Sequence, residues 1–300
     1  MDWNSLIRGF EDYLMLERSL SPHSIDAYVR DIKKVKDFVE LRDLKLTPLD
    51  IQYQNLEDFV TYLFDLGVQA KSQARIISGV RAFYKYLLIE DLMQHDPSEL
   101  LEGPKLGKYL PDTLSYEEIN LIIKSVDHST DHGQRNRAIL ETLYSCGLRV
   151  SELTSLRLSH YYPDQGFIRV IGKNNKERLI PIGDSAIKYI RFYLPIRNKV
   201  IPKPGEEDYL FLNRRGSHLS RIMIFNIVKD AVKVANIDKV VSPHTFRHSF
   251  ASHMVDAGAD LRSVQDMLGH ESITTTEIYT HIDTQHLRDA IMTYHPSNRN

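Results

Sequence analysis

The sequence predicts a mainly α-helical protein with a small antiparallel β-sheet, arranged in two domains. Apolar residues recur at spacings of three and four through the N-terminal third, which is the period of amphipathic helices. The stretch HDPSELLEGPKLGKYLPDTLS then breaks this periodicity with three prolines and two glycines. Beyond it, helical patterns surround one strand–turn–strand pattern, GFIRVIGKNNKERLIPIG. We therefore expect an all-helical N-terminal domain followed by a mixed α+β domain.

The length of the chain supports this division. With 300 residues, 42% of them apolar, the chain is long enough to form a hydrophobic core in each of two domains. We place the N-terminal domain at residues 1–102, an inter-domain linker at 103–112 and the C-terminal domain at 113–300.

The first helices of the N-terminal domain have clear start and stop signals. In SPHSIDAYVRDIKKVKDFV, Ser21 is a suitable N-cap and Pro22 fits the first helical position. Apolar residues then follow at helical spacing from Ile25 onward. Another helix is expected at 55–66, ending at Gly67.

The last helix of this domain, KSQARIISGVRAFYKYLLIE, has two distinct sides. Its apolar residues fall on one side, and Lys71, Arg75 and Lys85 fall in a narrow stripe on the other. Such a stripe is most often a solvated surface. The alternative is a helix that lies along a phosphate backbone.

The C-terminal domain mixes both kinds of element. SYEE forms a capping box before one helix, and NRAILETLYSCGLRVSELTSL predicts a helix that stops at Gly147 before a new helix starts. The two strands of GFIRVIGKNNKERLIPIG form a hairpin, and DYLFLN is a candidate third strand. Further helices are expected at 220–235, 244–257, 261–268 and 273–281.

Composition excludes several classes of protein. The single cysteine, Cys146, allows no internal disulfide, which fits a reduced, cytoplasmic location. The charged N-terminus predicts neither a signal peptide nor a membrane span, and we expect no membrane partner. The net charge of −2 argues mildly against nucleic acid. However, residues 105–300 hold 26 Lys and Arg against 22 Asp and Glu, so the C-terminal part is basic.

The segment HTFRHSFASH concentrates groups that bind anions. Ser242 and Pro243 predict a helix start, which places His244 in the first turn and Arg247 one turn later. A helix N-terminus offers free N–H groups and partial positive charge, and the planar fork of arginine suits phosphate oxygens.

A metal site at the same segment is the weaker hypothesis. His244 and His248 have the spacing of the two histidines of a zincin helix, but Thr245 stands where that motif needs glutamate. No cysteine pair or carboxylate cluster stands nearby in the sequence to complete a site.

Other candidate residues have ordinary interpretations when each is taken alone. Arg149 and Glu152 in CGLRVSEL fit an intrahelical ion pair. Lys173 in GKNNKER fits a solvated turn lysine. His270 follows a helix-ending glycine in MLGHESITTTEIYTH, and Tyr279 is one of 16 tyrosines. Their order and joint presence are more informative than any one of them.

Together these segments resemble the tyrosine recombinase family, most closely the bacterial chromosome-dimer-resolving Xer recombinases of the XerC/XerD type. The six signature positions are Arg149, Lys173, His244, Arg247, His270 and Tyr279. The resemblance covers nearly the whole chain, and its N-terminal helices are similar to the family's SAM-like core-binding domain. Two positions differ from the common pattern, with Asn174 in place of glycine and Phe246 in place of leucine.

The resemblance implies a site-specific recombinase that cuts and rejoins DNA through a 3′-phosphotyrosyl intermediate. Tyr279 is then the nucleophile, and Lys173 protonates the leaving 5′-oxygen. Because the phosphotyrosine retains the bond energy, no ATP is expected. Cations of the protein take the place of metal ions, so no cofactor and no metal are expected either.

The remaining signature residues are expected to act on the phosphate. Arg149 and Arg247 would bind the non-bridging oxygens and offset the charge that grows at phosphorus. His244 and His270 would add hydrogen bonds, and one of them could assist proton removal from the tyrosine. Glu152 would orient its neighbours.

The resemblance also implies double-stranded DNA as a partner. The two domains would close around the duplex, with Lys71, Arg75 and Lys85 in contact with it. HLSRIMIFNIVKDAVK becomes a candidate major-groove helix with Arg221 near its start. We expect a tetramer on two DNA sites, formed by this chain alone or with a paralogous recombinase, and a DNA translocase as a candidate activator.

The tail 281–300 holds a short apolar set, Leu287, Ala290 and Ile291. It is either a helix packed on its own domain or, as the resemblance implies, a contact with a neighbouring protomer.

The cellular role implied by the resemblance is resolution of chromosome dimers at a dif-like site. An integrase of a mobile element or phage and a type IB topoisomerase-like enzyme are neighbouring alternatives. A DNA-binding protein without recombinase activity and a histidine-based metallohydrolase are further ones.

Overall fold

The computed structural model describes residues 1–104, 113–172, 176–269 and 281–298. The chain divides into two compact units, Met1–Tyr109 and Leu110–Asn300. The boundary between them falls inside the segment 103–112 that the sequence predicts as a linker.

All regular secondary structure described in the N-terminal unit is helical. Its helices are α1 (Trp3–Leu16), α2 (Pro22–Leu41), α3 (Tyr53–Asp65) and α4 (Ala70–Ile89). Ser21 caps α2 as predicted, since its hydroxyl accepts the Ser24 N–H. Gly67 follows α3 with φ of 72°, a backbone conformation that favours glycine.

The two sides of α4 are those that the sequence predicts. Its apolar side lies in the core of the N-terminal unit, where Val80, Phe83 and Leu87 have no exposed surface. Lys71, Arg75 and Lys85 are all exposed. The amphipathic pattern therefore correctly predicted which side of α4 is buried.

The C-terminal unit contains the remaining elements. The described helices are α5 (Tyr116–Lys124), α6 (Asp131–Cys146), α7 (Val150–Thr154), α8 (Asp184–Arg197), α9 (Arg221–Val234), α10 (Pro243–Asp256), α11 (Leu261–Leu268) and α12 (His281–Tyr294). Every residue of α6 from Arg137 to Cys146 is buried, which makes it the central helix of this unit. The helix predicted at 273–281 lies almost wholly outside the described residues.

The sheet has three antiparallel strands in the order β1 (Tyr161–Tyr162), β2 (Phe167–Ile171) and β3 (Glu177–Pro181). Strands β2 and β3 form the predicted hairpin, and Ile168 pairs with Ile180. Beyond the paired residues, the Gly172 N–H donates to the Lys176 carbonyl at 2.7 Å.

The prediction of DYLFLN as the third strand is wrong, because β1 takes that place. Residues 208–213 form only isolated bridges at Tyr209 and Leu212. Their backbone groups bond elsewhere: the Leu210 N–H donates to the Leu156 carbonyl at 2.9 Å, and the Leu212 N–H to the Tyr193 hydroxyl at 3.1 Å. The apolar run is a loop that packs in the core. A short run of apolar residues in the sequence does not by itself distinguish a buried loop from a buried strand.

The apolar residues of the tail are buried within their own unit. Leu287, Ala290 and Ile291 on α12 belong to its hydrophobic core, and His295 beyond the helix is 1% exposed. The described helices include none that is both long and apolar enough to cross a bilayer.

Candidate active site

Two glycines end the helices that lead into the site. Gly147 follows α6 with φ of 56°, and Gly269 follows α11 with φ of 63°. In this left-handed region glycine has no steric penalty. A Cβ on Gly147 would lie 2.4 Å from the ring of Phe250, so the chain also passes too close to α10 for any side chain. The sharp turn after α6 brings Arg149 to the start of α7.

Arg149 is held by the glutamate one turn later. As N-cap of α7, it donates its backbone N–H to Glu152 Oε2 at 2.9 Å, and its Nη1 donates to Glu152 Oε1 at 3.0 Å. The Arg149 side chain is 36% exposed, whereas that of Glu152 is 1% exposed. The predicted pair therefore exists. The buried Glu152 carboxylate holds the Arg149 guanidinium, part of which remains exposed to solvent.

Arg247 approaches the same carboxylate from α10. Its Nη1 donates to the Gly147 carbonyl at 2.7 Å and lies 3.9 Å from Glu152 Oε2. Its Nη2 donates to the Leu268 carbonyl. The structure thus brings Arg149 and Arg247, far apart in the sequence, to one buried glutamate.

His244 lies in the first turn of α10, one turn before Arg247. Ser242 caps this helix as predicted, with Pro243 in the first position. The side chains of His244 and His248 are both exposed. Within the described ranges, no group of three or more His, Cys, Asp or Glu side chains is placed to hold a metal ion.

The sequence interpretation missed a third arginine, Arg178 on β3. Its Nη1 and Nη2 donate to the two oxygens of Glu152 at 2.8 and 3.1 Å. The signal was present, because strand alternation places Arg178 on the same inward face as Ile180. A charged residue at an inward strand position needs a buried partner.

The three arginines share a second set of acceptors at the end of α11. Arg178 Nε donates to the Met267 carbonyl at 3.0 Å, and Arg149 Nη2 donates to the Gly269 carbonyl at 3.0 Å. Arg247 takes the carbonyl between them, that of Leu268. A helix C-terminus carries partial negative charge, so it suits three cations. We call these three arginines and Glu152 the arginine cluster.

Ionisation states follow from these contacts. Burial alone would raise the pKa of Glu152, but the hydrogen bonds and charges of Arg178 and Arg149 outweigh it and hold that pKa below its ordinary value. Burial, together with the charge of Arg149, lowers the pKa of Arg247 to about 10, so this guanidinium stays charged at neutral pH. With three cations and one anion, the arginine cluster attracts anions.

Three of the predicted catalytic residues, Lys173, His270 and Tyr279, lie outside the described residues. The structure describes the residue before two of them, Gly172 before Lys173 and Gly269 before His270.

The predicted DNA contacts lie on exposed surfaces of the two units. On α4, Arg75 donates through Nη1 and Nη2 to the buried Asp31 at 2.6 and 2.7 Å, yet its side chain stays 51% exposed. Lys71 and Lys85 are exposed on the same side. Arg221 is the exposed first residue of α9, directly after the N-cap Ser220.

Two family models together match most of the chain. Residues 112–286 match the phage integrase family, and residues 7–91 match the phage integrase N-terminal SAM-like domain. The first range includes all six predicted catalytic positions. A tyrosine recombinase XerD of Staphylococcus epidermidis is 40% identical over 98% of this chain and 99% of its own length. A tyrosine recombinase XerD of Chlorobaculum tepidum is 40% identical over 98% of this chain and 97% of its own.

Solved structures share the fold. The XerH site-specific recombinase bound to palindromic difH substrate aligns with a TM-score of 0.71 at 22% identity, covering 95% of this chain and 84% of that one. A lambda integrase dimer bound to a core site aligns with a TM-score of 0.69 at 19% identity, covering 93% and 99%. The chain therefore belongs to the phage integrase family of tyrosine recombinases, which are DNA strand-exchange enzymes.

Proposed function

We propose that this recombinase resolves chromosome dimers in the cytoplasm by recombination at a dif-like site. The observation that carries the proposal is the convergence of Arg149 and Arg247 on Glu152, which gathers cationic side chains where one phosphate can bind. The identity to XerD recombinases along nearly the whole chain supports the chromosomal role.

The chemistry that we propose is direct transfer of a phosphoryl group to tyrosine. The Tyr279 oxygen attacks phosphorus, and the bond from phosphorus to the 5′-oxygen breaks, so a 3′-phosphotyrosyl link and a free 5′-hydroxyl form. Lys173 donates a proton to the leaving oxygen, and His244 or His270 takes the tyrosine proton. In the reverse step, a 5′-hydroxyl of another strand attacks the phosphotyrosine, which restores a phosphodiester without ATP.

Arg149 and Arg247 lower the barrier of both steps. A phosphodiester repels nucleophiles because it is anionic, and charge grows on its non-bridging oxygens as the new bond forms. Guanidinium groups that are already held in place stabilise that charge without reorganising during the reaction. Glu152 orients both arginines. No metal is needed for this mechanism, since fixed cations neutralise the phosphate.

We propose that the active assembly is a tetramer on two DNA sites, formed by this chain alone or with a paralogous recombinase. One related solved structure is a lambda integrase tetramer bound to a Holliday junction. A DNA translocase is the candidate activator. The exposed residues of the tail are the candidate contact between protomers, since Leu287, Ala290 and Ile291 are buried in their own unit. Lys71, Arg75, Lys85 and Arg221 are the candidate contacts with the duplex.

The experiment is covalent capture on a nicked suicide duplex that carries a dif-like site. The wild-type chain should form a covalent adduct, with Tyr279 identified as the linked residue by peptide mapping. The Tyr279→Phe variant should bind the duplex and form no adduct, and a chelator should not reduce the yield. An adduct with Tyr279→Phe, or one linked through another residue, contradicts the assignment.

A further inference from the structure

Arg178 has the contacts of a residue that acts through its neighbours. Its side chain is 8% exposed, and Nε, Nη1 and Nη2 each donate to a protein oxygen. The fork on Glu152 is bidentate, which fixes orientation as well as distance. A guanidinium so enclosed does not reach DNA. Whatever it contributes to the reaction passes through Glu152 or the end of α11.

The Arg178 side chain lies close to two glycines, each of which directly precedes a predicted catalytic residue. A Cβ on Gly269 would lie 2.9 Å from Arg178 Cζ, and one on Gly172 would lie 3.4 Å from its Nη1. Gly269 immediately precedes His270 in the sequence, and Gly172 immediately precedes Lys173. The Arg178 guanidinium therefore packs against the two glycines that directly precede Lys173 and His270.

The arginine cluster would rearrange without this guanidinium. Glu152 is 1% exposed and ionised, so it needs its cationic partners. If Arg178 were lost, the carboxylate would keep only Arg149 and the more distant Arg247. Both would be drawn towards Glu152 and away from the phosphate, and the Met267 carbonyl would lose its donor.

We propose that Arg178 is a positioning residue of the phosphate site: its bidentate bond to Glu152 and its bond to the end of α11 set the places from which Arg149 and Arg247 meet the phosphate. The proposal rests on the proposed function. It adds to that function a residue outside the six signature positions, one that touches no DNA.

The chain offers a matched control in Arg137. This buried arginine on α6 also binds a buried glutamate, with Nε donating to Glu141 Oε1 at 3.1 Å, and a carbonyl, with Nη1 donating to Ile123 at 2.6 Å. No contact joins it to Glu152. Arg137→Gln and Arg178→Gln each remove a buried arginine–glutamate ion pair, and only the second disturbs the arginine cluster.

The experiment measures the single-turnover cleavage rate constant on the suicide duplex, which does not depend on the fraction of folded enzyme. Arg178→Gln should lower this constant by about a hundredfold, the order of effect seen when an outer partner of an active-site group is removed. DNA affinity should change by less than about threefold, because Arg178 is enclosed by protein. Arg178→Lys keeps the charge and loses the fork, so its cleavage rate constant should lie between those of the wild-type chain and Arg178→Gln.

A second substrate separates positioning from general damage. A methylphosphonate at the scissile position replaces one anionic oxygen with a neutral methyl and so depends less on the two phosphate-binding arginines. Arg178→Gln should lower the rate on the phosphodiester more than on the methylphosphonate, as Arg149→Gln should. Arg137→Gln should leave the ratio of the two rates at its wild-type value.

The outcomes distinguish this inference from the proposed function. No adduct with the wild-type chain defeats the proposed function itself. A wild-type adduct together with an unchanged rate ratio in Arg178→Gln overturns the positioning role. So do additive effects of Arg178→Gln and Glu152→Gln in a double-mutant cycle, because residues that act through one another do not add.

Discussion

Glu152 illustrates how a single buried carboxylate organises positive charge. It accepts from the backbone and side chain of Arg149 and from the fork of Arg178, and it lies 3.9 Å from Arg247. Without an anion, three neighbouring guanidiniums would repel one another. The carboxylate therefore makes their convergence possible, and the cluster of three cations and one anion keeps an excess of positive charge.

Glu152→Gln should destabilise the C-terminal unit. The amide keeps the volume of the side chain but leaves three cations without their anion, and breaking a buried ion pair costs about 3 kcal/mol or more. Denaturant unfolding at neutral pH should show this loss in the transition of the C-terminal unit, with the transition of the N-terminal unit unchanged. An unmoved midpoint would mean that the carboxylate is not needed as an anion.

The same variant should change how stability depends on pH. The folded pKa of Glu152 lies below its ordinary value, so its stabilising charge is fully present above the unfolded pKa of 4.5 and is lost as pH falls through the folded value. Between neutral and acidic pH, the free energy of unfolding of the wild-type unit should fall more steeply than that of Glu152→Gln. Parallel curves would contradict this assignment.

At the scale of elements, the glycine that ends α11 connects helix geometry with the arginine cluster. Gly269→Ala combines a left-handed φ with a Cβ only 2.9 Å from Arg178 Cζ. Gly205→Ala is the matched control, because Gly205 has φ of 83° and nothing within 4 Å of its Cβ position. Both variants should lose about 1 kcal/mol of stability from backbone strain, measured by denaturant unfolding. Only Gly269→Ala should also slow single-turnover cleavage, and equal cleavage rates would argue against the contact with Arg178.

The residue that follows α12, His295, is a buried histidine that should respond to acid. The His295 ring lies 4.9 Å from that of Tyr144 and 5.7 Å from that of Phe250, measured between centroids. Burial, with a smaller effect from His253, lowers the pKa of His295 to about 4. Because the folded pKa lies below the unfolded value of 6.5, stability is complete above pH 6.5 and falls as the pH drops towards 4, by about 3 kcal/mol in total.

Hydrogen exchange of α12 measures this response. After correction for intrinsic rates, protection of α12 in the wild-type chain should decrease between pH 6.5 and pH 4. In His295→Phe, which retains an aromatic ring beside Tyr144 and Phe250, the decrease should be much smaller. The same loss in both proteins would place the acid response at another group, with His253 the first to examine.

Local patterns predicted most of the elements, and long-range contacts account for the side-chain pairings that they missed. Helix periods, Ser21, Gly147 and Gly269 correctly placed helix sides and ends, and alternation located the β2–β3 hairpin. The pairing of Arg75 with Asp31 joins residues 44 positions apart, so no local pattern reports it. Likewise, the role of Arg178 depends on residues from α7 and α11 that meet only in the folded unit. The six-residue signature was recognisable only as a set.

For the whole molecule, the distribution of charge matters more than its total. The net charge is −2, yet the exposed side of α4 carries Lys71, Arg75 and Lys85 opposite a fully buried side. A cation that neutralises a DNA phosphate releases a counterion, which makes affinity depend on salt. If α4 lies along a duplex, this stripe would make the affinity depend on salt even though the chain is acidic overall.

Lys85→Gln tests whether this stripe meets the duplex. If Lys85 contacts a phosphate, its loss should weaken binding similarly for specific and unrelated duplexes and reduce the slope of log affinity against log salt by about one. Lys45→Gln removes the same charge from an exposed position of the same unit outside α4, and it should leave the slope unchanged. Fluorescence anisotropy titrations at several salt concentrations give both slopes. Equal slopes for the two variants would show that only the overall charge of the unit matters, and the proposed contact of α4 with DNA would have to be abandoned.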